Sequence, residues 1–279
     1  MKMLTISKAW ASAIGAWDEY LRSAGHPKDT RYTRTYHLRR FGADHAKLSP
    51  WSVTLDHLLA WTANKDWAPN TRRSYRVSLR VFFTWAHARG HMQSNPAFEL
   101  PKVTVPRALP RPAPNDVVDD GLRTLDIRVR LMILILTDTG IRRGELCRVH
   151  IRDLERDLMG WTLRVVGKGG HVRVLPIDER LASAIHRMPG GYLFPGQIDG
   201  HLSAAYTGKL VSRALADGWT AHTLRHRFAS LAYAVDKDIR AVQELLGHAS
   251  VSTTQIYTLA LPDAMRRAAA GARVGLTAA

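Results

Sequence analysis

Four polar clusters sit in otherwise apolar surroundings: TGIRRGEL at 139–146, GKGGHVR at 167–173, HTLRHRFAS at 222–230 and LGHASVSTTQIY at 246–257. Their residue types suit work on an anion. A guanidinium offers planar, bidentate donation to phosphate or carboxylate, and an imidazole titrates near neutrality and can take a proton. Taken one at a time, each residue also has a plainer role. Arg142 and Glu145 have the spacing of an i,i+3 helix ion pair, and Lys168 has the position of an exposed turn lysine. His222 could cap a helix, His248 could follow Gly247 merely because histidine suits a helix C-terminus, and Tyr257 could be a half-buried core tyrosine.

Elements must carry these clusters, and the pattern of apolar residues supplies them. The segment LRTLDIRVRLMILILTDTG passes from amphipathic to wholly apolar and should be a buried helix ending at Gly140. WTLRVVGKGGHVRVLPI has β-branched runs on either side of GKGG, the pattern of a β-hairpin with Lys168 in its turn. Helical periodicity resumes near 179 and dominates to the end. Upstream, helices are expected over roughly 7–24, 28–41, 53–64 and 70–90, the last starting at an Asn70/Thr71 cap and stopping at Gly90. Between the two halves lies NPAFELPKVTVPRALPRPAPN, where six of the thirteen prolines fall. Proline fixes φ and removes amide donors, so this stretch should be an extended linker. The organisation expected is a helical domain at 1–95, a linker at 96–115 and a second domain at 116–279.

Charge narrows the partner. Forty Lys and Arg stand against 24 Asp and Glu, a net charge of +16. Residues 1–100 and residues 101–279 each carry +8 of it. A polybasic tail would concentrate the excess at one end, whereas a protein that wraps a duplex needs phosphate contacts from both domains. The helix at 70–90 carries Arg72, Arg73, Arg76 and Arg80 on its polar side and is the candidate to lie against DNA, with Arg31 and Arg34 beside it. For any one of these arginines a solvated position is an equal reading. A single cysteine, Cys147, excludes an internal disulfide or a multi-cysteine zinc site. No apolar run is long enough for a membrane span and no signal peptide precedes the helices, so a cytoplasmic protein without membrane contact is expected.

Together the four clusters resemble the boxes of the tyrosine recombinases, the phage integrase family. TGIRRGEL matches the first box and puts a catalytic arginine at Arg142 with Glu145 in support. The hairpin lysine falls on Lys168, although His171 stands where many relatives carry another basic residue. HTLRHRFAS matches the H-x-x-R box with His222 and Arg225, LGH supplies His248, and Tyr257 takes the nucleophile's place. The resemblance covers most of residues 120–262. It implies a mainly α fold with a small β-hairpin or sheet: a helical core-binding (SAM-like) domain plus a catalytic domain, forming a C-shaped clamp on DNA.

The resemblance also implies a mechanism. Tyr257 would attack the scissile phosphate, His222 would take or share its proton, Arg142, Arg225 and His248 would hold the non-bridging oxygens, and Lys168 would protonate the departing 5′ oxygen. The 3′-phosphotyrosyl ester would retain the bond energy, so no cofactor and no metal are expected. Strand exchange would run through a Holliday junction in a homotetramer on double-stranded DNA with core-type sites, with residues 261–275 docking on a neighbour. The chain begins almost directly with the core-binding helices, so an arm-binding domain is not expected, and simple core-type sites follow. An accessory directionality factor is compatible with this. Phage-type integration and excision is the leading expectation. The alternatives are Xer-like chromosome-dimer resolution or mobile-element movement, a type IB topoisomerase, a telomere resolvase, or a DNA-binding regulator without catalysis.

Overall fold

Aromatic side chains at helical spacing build the first part of the chain. Helix α1 (Lys8–Ser23) buries Trp10, Ala13, Ile14, Trp17 and Leu21 along one face, and the Ser7 hydroxyl accepts a hydrogen bond from the Trp10 amide at its start. Helices α2 (Lys28–Asp44), α3 (Leu55–Ala63) and α4 (Pro69–Ala88) close the bundle. Trp10, Trp17, Phe41, Phe82 and Phe83 are fully buried at its centre, each ring contributing about 1.5–3 kcal/mol by leaving water. Edge-on contacts order them: Trp10 meets Phe41 at 5.5 Å and Trp17 meets Phe82 at 5.2 Å between centroids. The four expected helices are all present. The expected Asn70/Thr71 cap is not, because α4 starts one turn-fraction earlier with Ala68 at the cap and Pro69 at the first helical position. Proline needs no amide partner there, so no side-chain cap is required.

The structure is a computed structural model that describes residues 4–106 and 109–247. The chain separates into two units at Arg107/Ala108. The second unit opens with α5 (Asn115–Leu122), a helix that the sequence reading leaves unassigned. The chain then breaks, and the Asp126 carboxylate accepts from the Arg128 amide to start α6 (Ile127–Thr139). Val129, Leu131, Met132, Ile133, Ile135 and Leu136 bury almost the whole circumference of α6, so it is the core around which the unit is built.

A short helix α7 (Arg143–Leu146) follows, then strands β1 (Leu154–Asp157), β2 (Gly160–Val166) and β3 (Val172–Ile177) in one antiparallel sheet of that order. The β2–β3 hairpin is as expected, with Lys168–Gly170 forming a single 3-10 turn at its tip. Strand β1 was missed: its sequence, LERD, lacks apolar alternation and is strand only by pairing with β2. After α8 (Glu179–His186), a short β4 (Pro195–Ile198) interrupts the helical run expected from 179. Helices α9 (Ala204–Leu215), α10 (Ala221–Asp236) and α11 (Ile239–Leu246) complete the described residues. Cys147 is buried just after α7. Among the described residues no helix is long and apolar enough to cross a membrane.

Candidate active site

The end of α11 is the meeting point. Its last residues and the glycine after it present three successive carbonyls, and each accepts from a different arginine. Arg173 Nε donates to Leu245 at 3.0 Å, Arg225 Nη2 to Leu246 at 2.7 Å and Arg142 Nη2 to Gly247 at 3.2 Å. The final carbonyls of a helix have no partner within it and carry the negative end of its dipole, so guanidinium donors are favoured there. Gly247 makes this possible by adopting φ +60°, which turns the chain out of the helix at little cost.

Arg225 is 3% exposed, on the first turns of α10. Its Nη1 donates at 2.6 Å to the carbonyl of Gly140, the left-handed residue that ends α6. One buried guanidinium therefore joins the C-termini of α6 and α11. A side chain at residue 140 would overlap the Phe228 ring, which fixes how closely α10 approaches.

Arg142 caps α7 from outside its first turn. Glu145 Oε2 accepts from the Arg142 amide at 2.8 Å and Oε1 from Arg142 Nη1 at 3.0 Å. Arg173 adds a bidentate pair to the same carboxylate, Nη1 to Oε1 at 3.1 Å and Nη2 to Oε2 at 2.7 Å. Glu145 is 4% exposed. Burial alone would raise its pKa, but the Arg173 hydrogen bonds, the Arg142 amide and both charges outweigh it, and the carboxyl titrates below its ordinary value. The Arg142 side chain keeps 41% of its surface in solvent. The i,i+3 ion pair of the plainer reading is real, and it is also part of this convergence.

His222 stands three residues before Arg225, on the same face of α10. It is not the helix cap: Thr220 is, its hydroxyl accepting from the His222 amide at 3.2 Å. The His222 ring reaches solvent, yet the protein packed around it, then the charges of Arg225, Arg142 and Arg143, lower its pKa from 6.5. The ring is thus neutral at pH 7 and able to accept a proton. His226, one turn on, meets it edge-to-face at 4.3 Å, and burial, with His222 and Arg225, lowers its own pKa to about 4.

The hairpin brings Lys168 into the neighbourhood through its backbone. Gly167 is closed onto His171 by a 2.7 Å amide–carbonyl bond, and a Cβ at 167 would lie 3.3 Å from Glu145 Oε1. His248 and Tyr257 lie outside the described residues. Arg173, within GKGGHVR, is a functional candidate that the sequence reading misses. The signal was available: period two in VRVLPI puts residue 173 on the same face as the buried Leu175, so a core-facing arginine could have been read.

The first unit divides its candidate arginines. Arg31 pairs bidentately with Asp18 at 2.8 and 2.7 Å. Arg72 donates to the Thr62 and Lys65 carbonyls at 2.6 and 2.7 Å, and Arg76 donates twice to Leu100, at 3.2 and 2.7 Å. These three make hydrogen bonds within their own unit. Arg34 and Arg73 line one groove between α2 and α4, Arg73 exposed and Arg34 with a buried Nη1 that has no hydrogen-bond partner. Arg80 lies further along α4 beside Tyr20 and Trp85.

The Phage integrase family model matches residues 115–263. Over 269 residues the chain is 31% identical to tyrosine recombinase XerC of Xanthomonas campestris pv. campestris (strain B100), covering 89% of this chain and 73% of that one. XerC of Xylella fastidiosa (strain M23) is 36% identical over 198 residues, 65% of this chain and 67% of that protein. Two solved structures share the fold. The XerH site-specific recombinase in a post-cleavage complex with palindromic difH substrate has a TM-score of 0.70 at 23% identity, covering 86% of this chain and 79% of that one. A lambda integrase dimer bound to a COC′ core site has a TM-score of 0.71 at 20% identity, covering 90% and 77%.

Proposed function

Because the chain belongs to the phage integrase family and is a tyrosine recombinase, an enzyme of site-specific DNA recombination, we propose that it cuts and rejoins duplex DNA through a 3′-phosphotyrosyl intermediate on Tyr257. The observation that carries this is the convergence of Arg142 and Arg225 on the end of α11, with His222 one helical turn from Arg225. Attack on a phosphodiester builds charge on its non-bridging oxygens, and two arginines whose orientation is already fixed can receive that charge without reorganising. Neutral His222 takes or shares the tyrosine proton, since a phenol with an ordinary pKa near 10 must lose it during attack. His248 adds a donor to the phosphate, and Lys168 at the hairpin tip protonates the leaving 5′ oxygen. Attack of a second strand's 5′-hydroxyl on the phosphotyrosine then exchanges strands, and a second round through a Holliday junction completes recombination.

The residues of 1–95 act as the core-binding domain, 96–115 as a linker and 116–279 as the catalytic domain. The working unit is a homotetramer on two core-type sites in double-stranded DNA, with residues 261–275 docking onto a neighbour. The leading biological reading is phage-type integration and excision. A second reading, Xer-like resolution, is favoured by the XerC names of the curated relatives. The deciding experiment for the chemistry incubates nicked duplexes from the DNA flanking the gene with wild type and Tyr257→Phe protein, followed by a denaturing gel. A 3′ adduct that survives SDS with wild type alone is expected. Specific binding without an adduct would instead support a regulator without catalysis.

A further inference from the structure

Strand β3 is patterned the wrong way round at its start. Val172 and Val174 are exposed, at 51% and 54%, while Arg173 between them points to the protein with its side chain 13% exposed. Leu175, 1% exposed, fixes the register, so period two forces residue 173 inward. A buried arginine between solvated valines is a local violation of binary patterning, and such violations concentrate at functional sites.

All three nitrogens of Arg173 are engaged. Two grip Glu145 and the third holds the Leu245 carbonyl. Arg173 is bonded within the protein at each nitrogen and its side chain is 13% exposed, so its effect passes through what it holds. The Arg142 guanidinium has two anchors, Glu145 Oε1 and the Gly247 carbonyl. Arg173 fixes the first directly. It fixes the second by binding the carbonyl two residues earlier and by packing against Gly247, where an added Cβ would lie 3.0 Å from Arg173 Nη1.

We propose that Arg173 is a positioning residue that sets the orientation of the Arg142 guanidinium, by holding Glu145 and the end of α11 in one register. For catalysis this rests on the reading of Arg142 as a phosphate clamp. Lysine cannot replace it, because one ammonium cannot span a bidentate carboxylate and a carbonyl on another element.

The test has two arms on the full chain. In the first, single-turnover adduct formation is measured for Arg173→Met and Arg173→Lys, alone and combined with Arg142→Lys. Either change alone is expected to slow cleavage by about 10- to 100-fold with DNA affinity unchanged, the size seen when a residue orienting a ligand is lost. In the Arg142→Lys background that loss should vanish, because the two act in series. Full, multiplicative losses in the combined variants would overturn the proposal and leave Arg173 a packing residue. If Arg173→Met fails to fold, Arg173→Lys carries the comparison. The second arm uses no DNA: nitrogen-15 spectra of the Arg142 guanidinium, assigned by its loss in Arg142→Lys, should show separate, slowly rotating Nη groups in wild type and merged ones in Arg173→Lys. Unchanged signals would also overturn it. A wild type that forms no adduct sinks the recombinase reading, and the spectra still decide whether Arg173 orients Arg142.

Discussion

The two units use arginine on backbone carbonyls in opposite ways. In the first, Arg72 reaches carbonyls at the end of α3 and just after it, Arg76 reaches the carbonyl of Leu100, and each acts as a separate staple. In the second, Arg142, Arg173 and Arg225 converge on three consecutive carbonyls, and Arg142 and Arg173 also share a buried carboxylate. A staple is complete when its own hydrogen bonds are made. A convergent set holds several guanidiniums in fixed relation, which is what an anion between them requires. A count of basic residues does not separate the two arrangements; the partners do.

The largest effects should come from the convergent set. Arg225→Lys is expected to lower the rate of adduct formation by about 10²–10³-fold, as for loss of a preorganised donor. Arg225→Met should in addition destabilise the fold, by about 1–3 kcal/mol for each carbonyl it orphans, read by urea unfolding. If Arg225→Lys cleaves near the wild-type rate, convergence is not the feature that matters. Arg142→Lys should show a similar loss of rate with little change in melting temperature, because its side chain is solvated; a large thermal loss would place it with the staples.

The staples should show the reverse. Arg76→Ala is expected to cost about 1–3 kcal/mol of stability and to leave the salt dependence of DNA binding unaltered. Arg73→Ala should leave stability alone and reduce the slope of log K against log salt by about one. An unchanged slope for Arg73→Ala would remove the α2–α4 groove from the binding face.

A further comparison is between the histidines of the two units. His222 works as a base only when neutral, and its pKa is lowered, so cleavage should persist to a pH below 6.5 before falling on the acid side. An acid limb centred above that value would exclude His222 as the acceptor. In the first unit, burial holds His37 at about 4 against 6.5 unfolded. Its folded form binds the proton more weakly, so stability is full above pH 6.5 and declines as pH falls toward 4. The loss reaches about 3 kcal/mol for a shift of that size, and His37→Gln should flatten the decline.

Much of this organisation was legible in the sequence because it rests on local pattern. The buried α6 reads from its unbroken apolar run, the hairpin from β-branched residues around GKGG, and the first unit's helices from aromatic spacing. Arg142, Glu145, His222 and Arg225, singled out by residue type, lie in one neighbourhood in the structure. What escaped was set by long-range partners. β1 is a strand only because β2 is beside it. Arg72 and Arg76 look like surface arginines until the carbonyls of residues 62, 65 and 100 are known, and Arg173 looks like a strand arginine until Glu145 is brought across from α7.

The bond from Arg225 to Gly140 spans 85 positions of sequence, and the bond to Leu246 another 21. Both bonds hold that guanidinium, and the second requires α11 to be in place. Without the end of α11, Arg142, Arg173 and Arg225 each lose one of their carbonyl anchors, so an arrangement drawn from positions up to 105 residues apart is completed only when that helix docks.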